Sequence, residues 1–225
     1  MAKRDHKRNT NLDTMIETND LRSTDDPSRV LNWYDFICPF CYVGQQRNAI
    51  LDRHGFDVVE LPFQAHPDIP TGGITAGPRT GSMYVMLERE AKEAGLKLKW
   101  PKHLPNTRHA LAAAEWVRQH QSGAFPKFHK DLFEAHFVLG EDLEDPDVVN
   151  RHAAEAGVDL AALNTALLDG TAPRAVDEAE ILGRSNGVRG TPAWLLDRQL
   201  ISGLRPAAEF ERLAKRAANN SFKVR

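Results

Sequence analysis

Apolar residues fall in two rhythms along the chain, and the change of rhythm divides it. "VLNWYDFI" (30–37) is short, apolar and rich in aromatic and β-branched residues, which predicts a buried strand. From Pro39 to about His54 the period lengthens: Phe40, Val43, Ala49, Ile50 and Leu51 form a helical stripe that Gly55 stops. "DVVELPF" (57–63) then predicts a second strand, completing a βαβ unit. The Gly/Pro/Thr-rich loop "IPTGGITAGPRTG" (69–81) marks a boundary. Behind it, "SMYVMLEREAKEAG", "TRHALAAAEWVRQHQ", "FPKFHKDLFEAHFVLG", "PDVVNRHAAEAG", "LAALNTALLDG" and "APRAVDEAEILGRSNG" all carry helical spacing, with no fixed repeat among them. After Gly187 the short rhythm returns. "TPAWLLD" and "QLISG" predict two strands joined at Asp197-Arg198, and "RPAAEFERLAKRAA" a closing amphipathic helix.

The order is therefore βαβ, a helical block, then ββα. It divides the chain into an α/β domain of residues 30–70 and 188–225, an all-helical insertion of residues 71–187, and a polar, disordered tail of residues 1–29.

Charge narrows the function. With 29 basic and 31 acidic residues among 225, the net charge is −2, so the chain lacks the concentrated positive field that nucleic acid or an anionic membrane attracts. The polar start has no apolar run long enough for a signal peptide or a membrane span, the pattern of a cytoplasmic protein. Cytosolic thiols are kept reduced, so a cysteine pair there is more often reactive than structural.

Both cysteines of the chain lie in "DFICPFCYVG" (35–44), as Cys38-Pro39-Phe40-Cys41. Three readings compete: a redox pair, half of a zinc site, or inert core thiols. Zinc takes about four ligands, so histidines would have to supply two, and the nine present form no HxxH or HxxxH pair; His129 and His136 sit two helical turns apart. Free cysteines are often simply buried. Disulfide exchange instead needs one exposed thiolate and a second sulfur within reach. At a helix N-terminus this spacing provides both, because Cys38 lies near the free N–H groups and Cys41 one turn inside. Pro39 fits the first helical position, where its missing N–H loses nothing. Cys38 is thus the candidate nucleophile and Cys41 the resolving thiol.

A C-P-x-C motif between a first strand and helix, a helical insertion, and a Thr-Pro dipeptide before the third strand together resemble the DsbA family of thiol-disulfide oxidoreductases. "NWYDFICPFCYVG", "PNTRHALAAAEWV" (105–117), "LFEAHFVLGEDLED" (132–145) and "GVRGTPAWLLDRQLISG" (187–203) are most similar to its FrnE-like branch, related to 2-hydroxychromene-2-carboxylate isomerases. The resemblance spans roughly residues 30–217. It implies a thioredoxin fold (βαβ…ββα) with a large helical insertion and a dithiol-disulfide oxidoreductase acting on protein or small-molecule thiols. It implies a cis Thr191-Pro192 bond packed against the cysteines, and Pro39, Phe40 and Thr191 at the substrate. It implies no bound cofactor and no metal, with glutathione as an eligible co-substrate. The isomerases carry Ser where this chain has Cys38, which favours redox chemistry. The alternative is a glutathione-dependent isomerase or transferase in which Cys41 is incidental. Strongly oxidising members carry His at the position of Phe40, which makes this chain a milder oxidant. Relay cysteines are absent, so reoxidation falls to another molecule.

Other residues carry weaker signals. Asn106-Thr107-Arg108 reads as a helix cap, although the isomerases place a similar dipeptide near their pocket. His66 reads as a loop histidine, and Asp35 as a strand-end residue close enough to modulate a thiol. The aromatic and Met side chains of "MYVML" and "FHKDLFEAHF" read as helical core. Natural substrate, net direction and oligomeric state stay open.

Overall fold

A computed structural model describes residues 26–221; the expected disordered tail lies almost wholly outside the described residues. Four strands form the central sheet in the order β2-β1-β5-β6: β1 (Arg29–Tyr34), β2 (Asp57–Pro62), β5 (Ala193–Leu196) and β6 (Gln199–Ser202). β1 runs parallel to β2, with Leu31 opposite Val59, and antiparallel to β5, with Leu31 opposite Leu195. The β5–β6 hairpin turns at Asp197 and Arg198, both at positive φ (48° and 61°), as a two-residue turn matched to strand twist requires. Helix α1 (Pro39–Arg53) and the closing helix α8 (Ala207–Ser221) cover one face of the sheet, where Val30, Trp194 and Leu196 meet Ile50, Leu51, Phe210 and Ala214. Leu31, Trp33, Leu61 and Phe63 face the other way, onto α7 (Thr171–Ser185). Burial on both faces is why β1 reads as a continuous apolar run rather than an alternating one.

A buried polar knot fastens α1 to the sheet. The Asn48 amide donates to Asn32 Oδ1 (3.1 Å) and Glu60 Oε1 (2.8 Å), its own oxygen accepts from Trp194 Nε1 (2.8 Å), and Asn32 donates to the Ala193 carbonyl (3.1 Å). One side chain of α1 is thereby tied to residues of β1, β2 and β5. On the opposite face Trp33 Nε1 donates to the Ala179 carbonyl of α7 (3.1 Å), and Gly183 lets that helix approach. A Cβ there would lie 2.9 Å from Trp33 Nε1 and 3.2 Å from Phe63 Cδ2.

Between β2 and β5 the chain forms α2 (Ser82–Glu93), α3 (Arg108–His120), α4 (Phe125–Glu134), α5 (Pro146–Glu155), α6 (Leu160–Leu168) and α7, the expected helical insertion. Its largest core includes Tyr34, Phe36, Cys41 and Tyr42 from the βαβ unit, and the Tyr42 ring stacks on Phe137 with centroids 5.1 Å apart. Two local features depart from the periodicity. A two-stranded ladder, β3 (Ile74–Thr75) with β4 (His103–Leu104), joins stretches that carry no strand signal. The helix expected through residue 140 leaves α geometry after Glu134 and closes as a π-helical turn, Ala135–Leu139, ending at Gly140 with φ 74°. The wider turn holds His136 inside, 1% exposed, with neither ring nitrogen hydrogen-bonded. Among the described residues no helix is long and apolar enough to cross a membrane.

Two predictions follow from this packing. Gly183→Ala should lower the urea midpoint by the equivalent of about 1 kcal/mol, because overpacking (about 1 to 3 kcal/mol) outweighs the gain in helix propensity (about 1 kcal/mol); a stabilised variant would contradict the close approach. Burial pushes the His136 pKa down to about 4, against about 6.5 in the unfolded chain. The unfolded state therefore binds the extra proton, and stability present above pH 6.5 is lost as pH falls toward 4, by on the order of 3 kcal/mol. Urea titrations across that window should show a shallower decline for His136→Leu than for the parent, and equal slopes would exclude His136 as the cause.

Candidate active site

The strand expected to run to Ile37 ends at Tyr34, because Asp35 starts a turn. Its buried carboxylate accepts from the backbone N–H of Ile37 (3.4 Å) and of Ala65 (2.8 Å), while its carbonyl accepts from Cys38 N (3.1 Å). This turn delivers Cys38 to the N-cap of α1 in extended conformation (φ −82°, ψ 109°), with Pro39 as the first helical residue. The Cys38 carbonyl accepts from Cys41 N (3.0 Å) and Tyr42 N (3.2 Å), which closes the first turn and stacks the sulfurs on one side. Cys38 is half-buried, Cys41 is 1% exposed, and both are free thiols. Across from them, the Thr191-Pro192 bond is cis, and the Cys38 thiol donates to the Thr191 carbonyl (3.4 Å). Gly44 gives Pro192 and Trp194 room beside the helix: a Cβ there would touch Trp194 at 3.3 Å and Pro192 at 3.7 Å.

The two sulfurs are electrostatically unlike. Burial pushes the Cys38 pKa up, but the Cys41 thiol, the Thr191 side chain and the Cys41 backbone N–H outweigh it, and the net displacement is downward despite the nearby Asp35 charge. Burial pushes Cys41 well above the ordinary thiol range, and Cys38 reinforces the shift. Hydrogen bonding at a helix start, with no cation among these causes, makes Cys38 the more acidic of the two sulfurs. Asp35 is itself raised, first by burial, with the Ala65 N–H, the Thr107 hydroxyl and the Ile37 N–H opposing.

Of the residues singled out from sequence, Cys38, Pro39, Cys41, Thr191 and Pro192 meet here, and Phe40 lies on the rim, partly buried. Its ring faces Tyr84 of α2 (centroids 6.3 Å apart), Tyr84 packs edge-on against Trp100 (5.7 Å), and Arg79 lies over Trp100 (4.9 Å). Nothing in the linear pattern linked Tyr84, Trp100 or Arg79 to the cysteines, because they come from the insertion. The N-cap of α3 is Thr107, which makes no side-chain cap bond; Asn106, just before it, accepts from Arg108 N (3.0 Å) and from the Gln64 amide (2.9 Å). Arg108 is occupied by Glu180 (3.0 Å) and Asp177. His66 is exposed. Neither cysteine belongs to a group of three or more potential metal-ligating side chains among the described residues.

Comparison with known proteins agrees with this arrangement. The model of the DSBA-like thioredoxin domain matches residues 29–215. The chain belongs to that family. The uncharacterised protein YwbO of Bacillus subtilis is 23% identical over 139 residues, 59% of this chain and 68% of YwbO. Among solved structures, a probable DsbA oxidoreductase of Streptomyces coelicolor superposes with TM-score 0.69 at 23% identity, covering 84% of this chain and 89% of its own. A 2-hydroxychromene-2-carboxylate isomerase gives TM-score 0.69 at 21% identity, covering 88% and 99%. The cytosolic disulfide reductase DsbM of Pseudomonas aeruginosa, solved with GSH, gives 0.57 at 17%, covering 87% and 98%. At these identities the structures share the fold.

Because no cation contributes to the lowered Cys38 pKa, placing one nearby should be felt. Phe40→His should lower the Cys38 thiolate midpoint by on the order of one pH unit and raise the reduction potential in the same variant, since whatever stabilises the thiolate stabilises the reduced form. Thiolate absorbance titrated in a Cys41→Ser background, with equilibration of the two-cysteine protein in glutathione buffers, reads both. A lowered midpoint with a more reducing potential would show that position 40 does not set the poise.

Proposed function

We propose that this protein is a cytoplasmic FrnE-like thiol-disulfide oxidoreductase that exchanges disulfides through Cys38 and Cys41. The observation that carries this reading is the opposed displacement of two adjacent sulfurs, one lowered at a helix N-cap beside Thr191-Pro192, the other buried and raised. In the reductive direction the Cys38 thiolate attacks one sulfur of a substrate disulfide. A mixed disulfide forms, and the other substrate sulfur leaves as a thiolate that takes a proton from solvent. Loss of the Cys38 negative charge removes one of the causes that raise Cys41. Cys41 then gives up its proton and attacks Cys38 Sγ, releasing the second substrate thiol and leaving a Cys38–Cys41 disulfide. Two electrons have passed to the substrate, and an external thiol such as glutathione restores the dithiol; the oxidative direction is the reverse. Pro39 and Phe40 border the attacking sulfur, and in this reading the Thr191 backbone beside it pairs with an extended substrate segment once the Cys38 thiol no longer donates to its carbonyl.

The glutathione-dependent isomerase reading rests on the equally good superposition with the isomerase. It needs Cys38 only, whereas disulfide exchange needs both sulfurs. Cys38→Ser should abolish insulin-disulfide reduction. Cys41→Ser should lower turnover at least tenfold while accumulating mixed disulfides, seen on non-reducing gels, because nothing resolves them. Equal trapping by both variants, or full turnover without Cys41, would reject the exchange mechanism.

A further inference from the structure

We propose that Asp131, His152 and Glu155, in the helical insertion and apart from the cysteines, bind a divalent transition-metal ion of the zinc type, with Glu141 orienting the histidine. Asp131 projects from α4; His152 and Glu155 lie three residues apart on α5, which packs against it. One donor atom from each of the three lies within 4.8 Å of the others. The histidine is the telling member. It is 4% exposed, and Nε2 is 2.7 Å from Glu141 Oε2. A carboxylate accepts only, so Nε2 carries the proton in the contact with Glu141, and Nδ1 is the ring nitrogen left to face the cluster. That Nδ1 is buried and has no hydrogen-bond partner. Glu155 Oε2 stands 3.8 Å from it, too far for a hydrogen bond. Two ligands of one tetrahedral ion with bonds near 2.0 to 2.1 Å stand about 3.3 Å apart, so the exposed carboxylate of Glu155 and that of Asp131 have to draw in toward Nδ1 when the ion binds. An imidazole whose other nitrogen is held by a carboxylate is the usual outer-sphere arrangement of a metal-bound histidine. One imidazole and two carboxylates suit Zn²⁺, with water in the fourth position.

Two cations attend the cluster. Lys127 pairs with Asp131, and Arg151 lies 2.7 Å from Glu141 and 3.8 Å from Glu155. Lys127 is more than half exposed and competes with the ion for Asp131.

The test uses the full chain carrying Cys38→Ser and Cys41→Ser, so that thiols do not take up metal. Titration with Co²⁺ should give a saturable visible absorption of one ion per chain that Zn²⁺ displaces, and Zn²⁺ should raise the melting temperature. Glu155→Gln, at an exposed position that leaves the fold intact, and His152→Gln should each weaken binding at least tenfold. Glu141→Gln should weaken it roughly 10- to 100-fold, and Lys127→Ala should tighten it. An absent absorption band, or affinity unchanged by Glu155→Gln, overturns the site and leaves His152 as a buried structural residue held by Glu141.

Discussion

Everything at the cysteine site hangs on the amide of Asn48. Three strands and a helix meet around that side chain, and its bonds with Asn32 and Trp194 are buried, so the helix can neither rotate nor slide without stranding polar atoms at a cost of about 1 to 3 kcal/mol each. The bond from Trp194 matters most for chemistry. Trp194 lies two residues after Pro192, so fixing its indole to α1 also fixes the Thr191-Pro192 segment beside the start of α1. Arg47, one residue earlier, does the same for the outer side. Its buried guanidinium binds Glu90 of α2 and the Arg205 carbonyl, tying the helix to the insertion and to the chain leaving β6.

With the helix fixed, one short turn assigns different characters to two chemically identical thiols. Cys38 stands where backbone N–H groups are unused, and Cys41 stands where the core closes over it, among Tyr42, Phe133 and Phe137. The insertion supplies most of that closure. It is therefore no appendage to the cysteine site: it shares one core with Cys41, and Tyr84 of α2 and Trp100 of the loop behind it continue from Phe40 as the rim beside Cys38. The Asp35 carboxylate works against the thiolate while anchoring the turn that presents it.

The cysteine motif, the helix that begins at Pro39 and the two-residue turn at Asp197-Arg198 were legible in the sequence because each is a local matter. Their signals lie within one turn or one hairpin, where spacing and residue type act directly on the backbone. The strand end at Tyr34 was missed because Asp35 is captured by Ala65, thirty residues away. The π-turn at Ala135–Leu139 was missed because an extra residue in a turn leaves the average helical period nearly unchanged. Asn106-Thr107-Arg108 was legible as a helix start, yet the bond of Asn106 to Gln64 belongs to the tertiary structure.

By itself, the sequence determined the order of the main elements and the pair of sulfurs, since hydrophobic period and motif spacing are written along the chain, and its resemblance to the DsbA family implied the fold. Only the tertiary structure decided which residues surround those sulfurs and how each titrates. Burial and hydrogen bonding depend on distances between Cys38, Thr191, Asp35 and the insertion, and those distances are set by packing across as many as 153 positions of chain. The same reason separates His152 from the other histidines. Its neighbours on α5 are readable from their spacing, but the carboxylate of Asp131 and the clasp of Glu141 reach it only through the packing of α4 on α5.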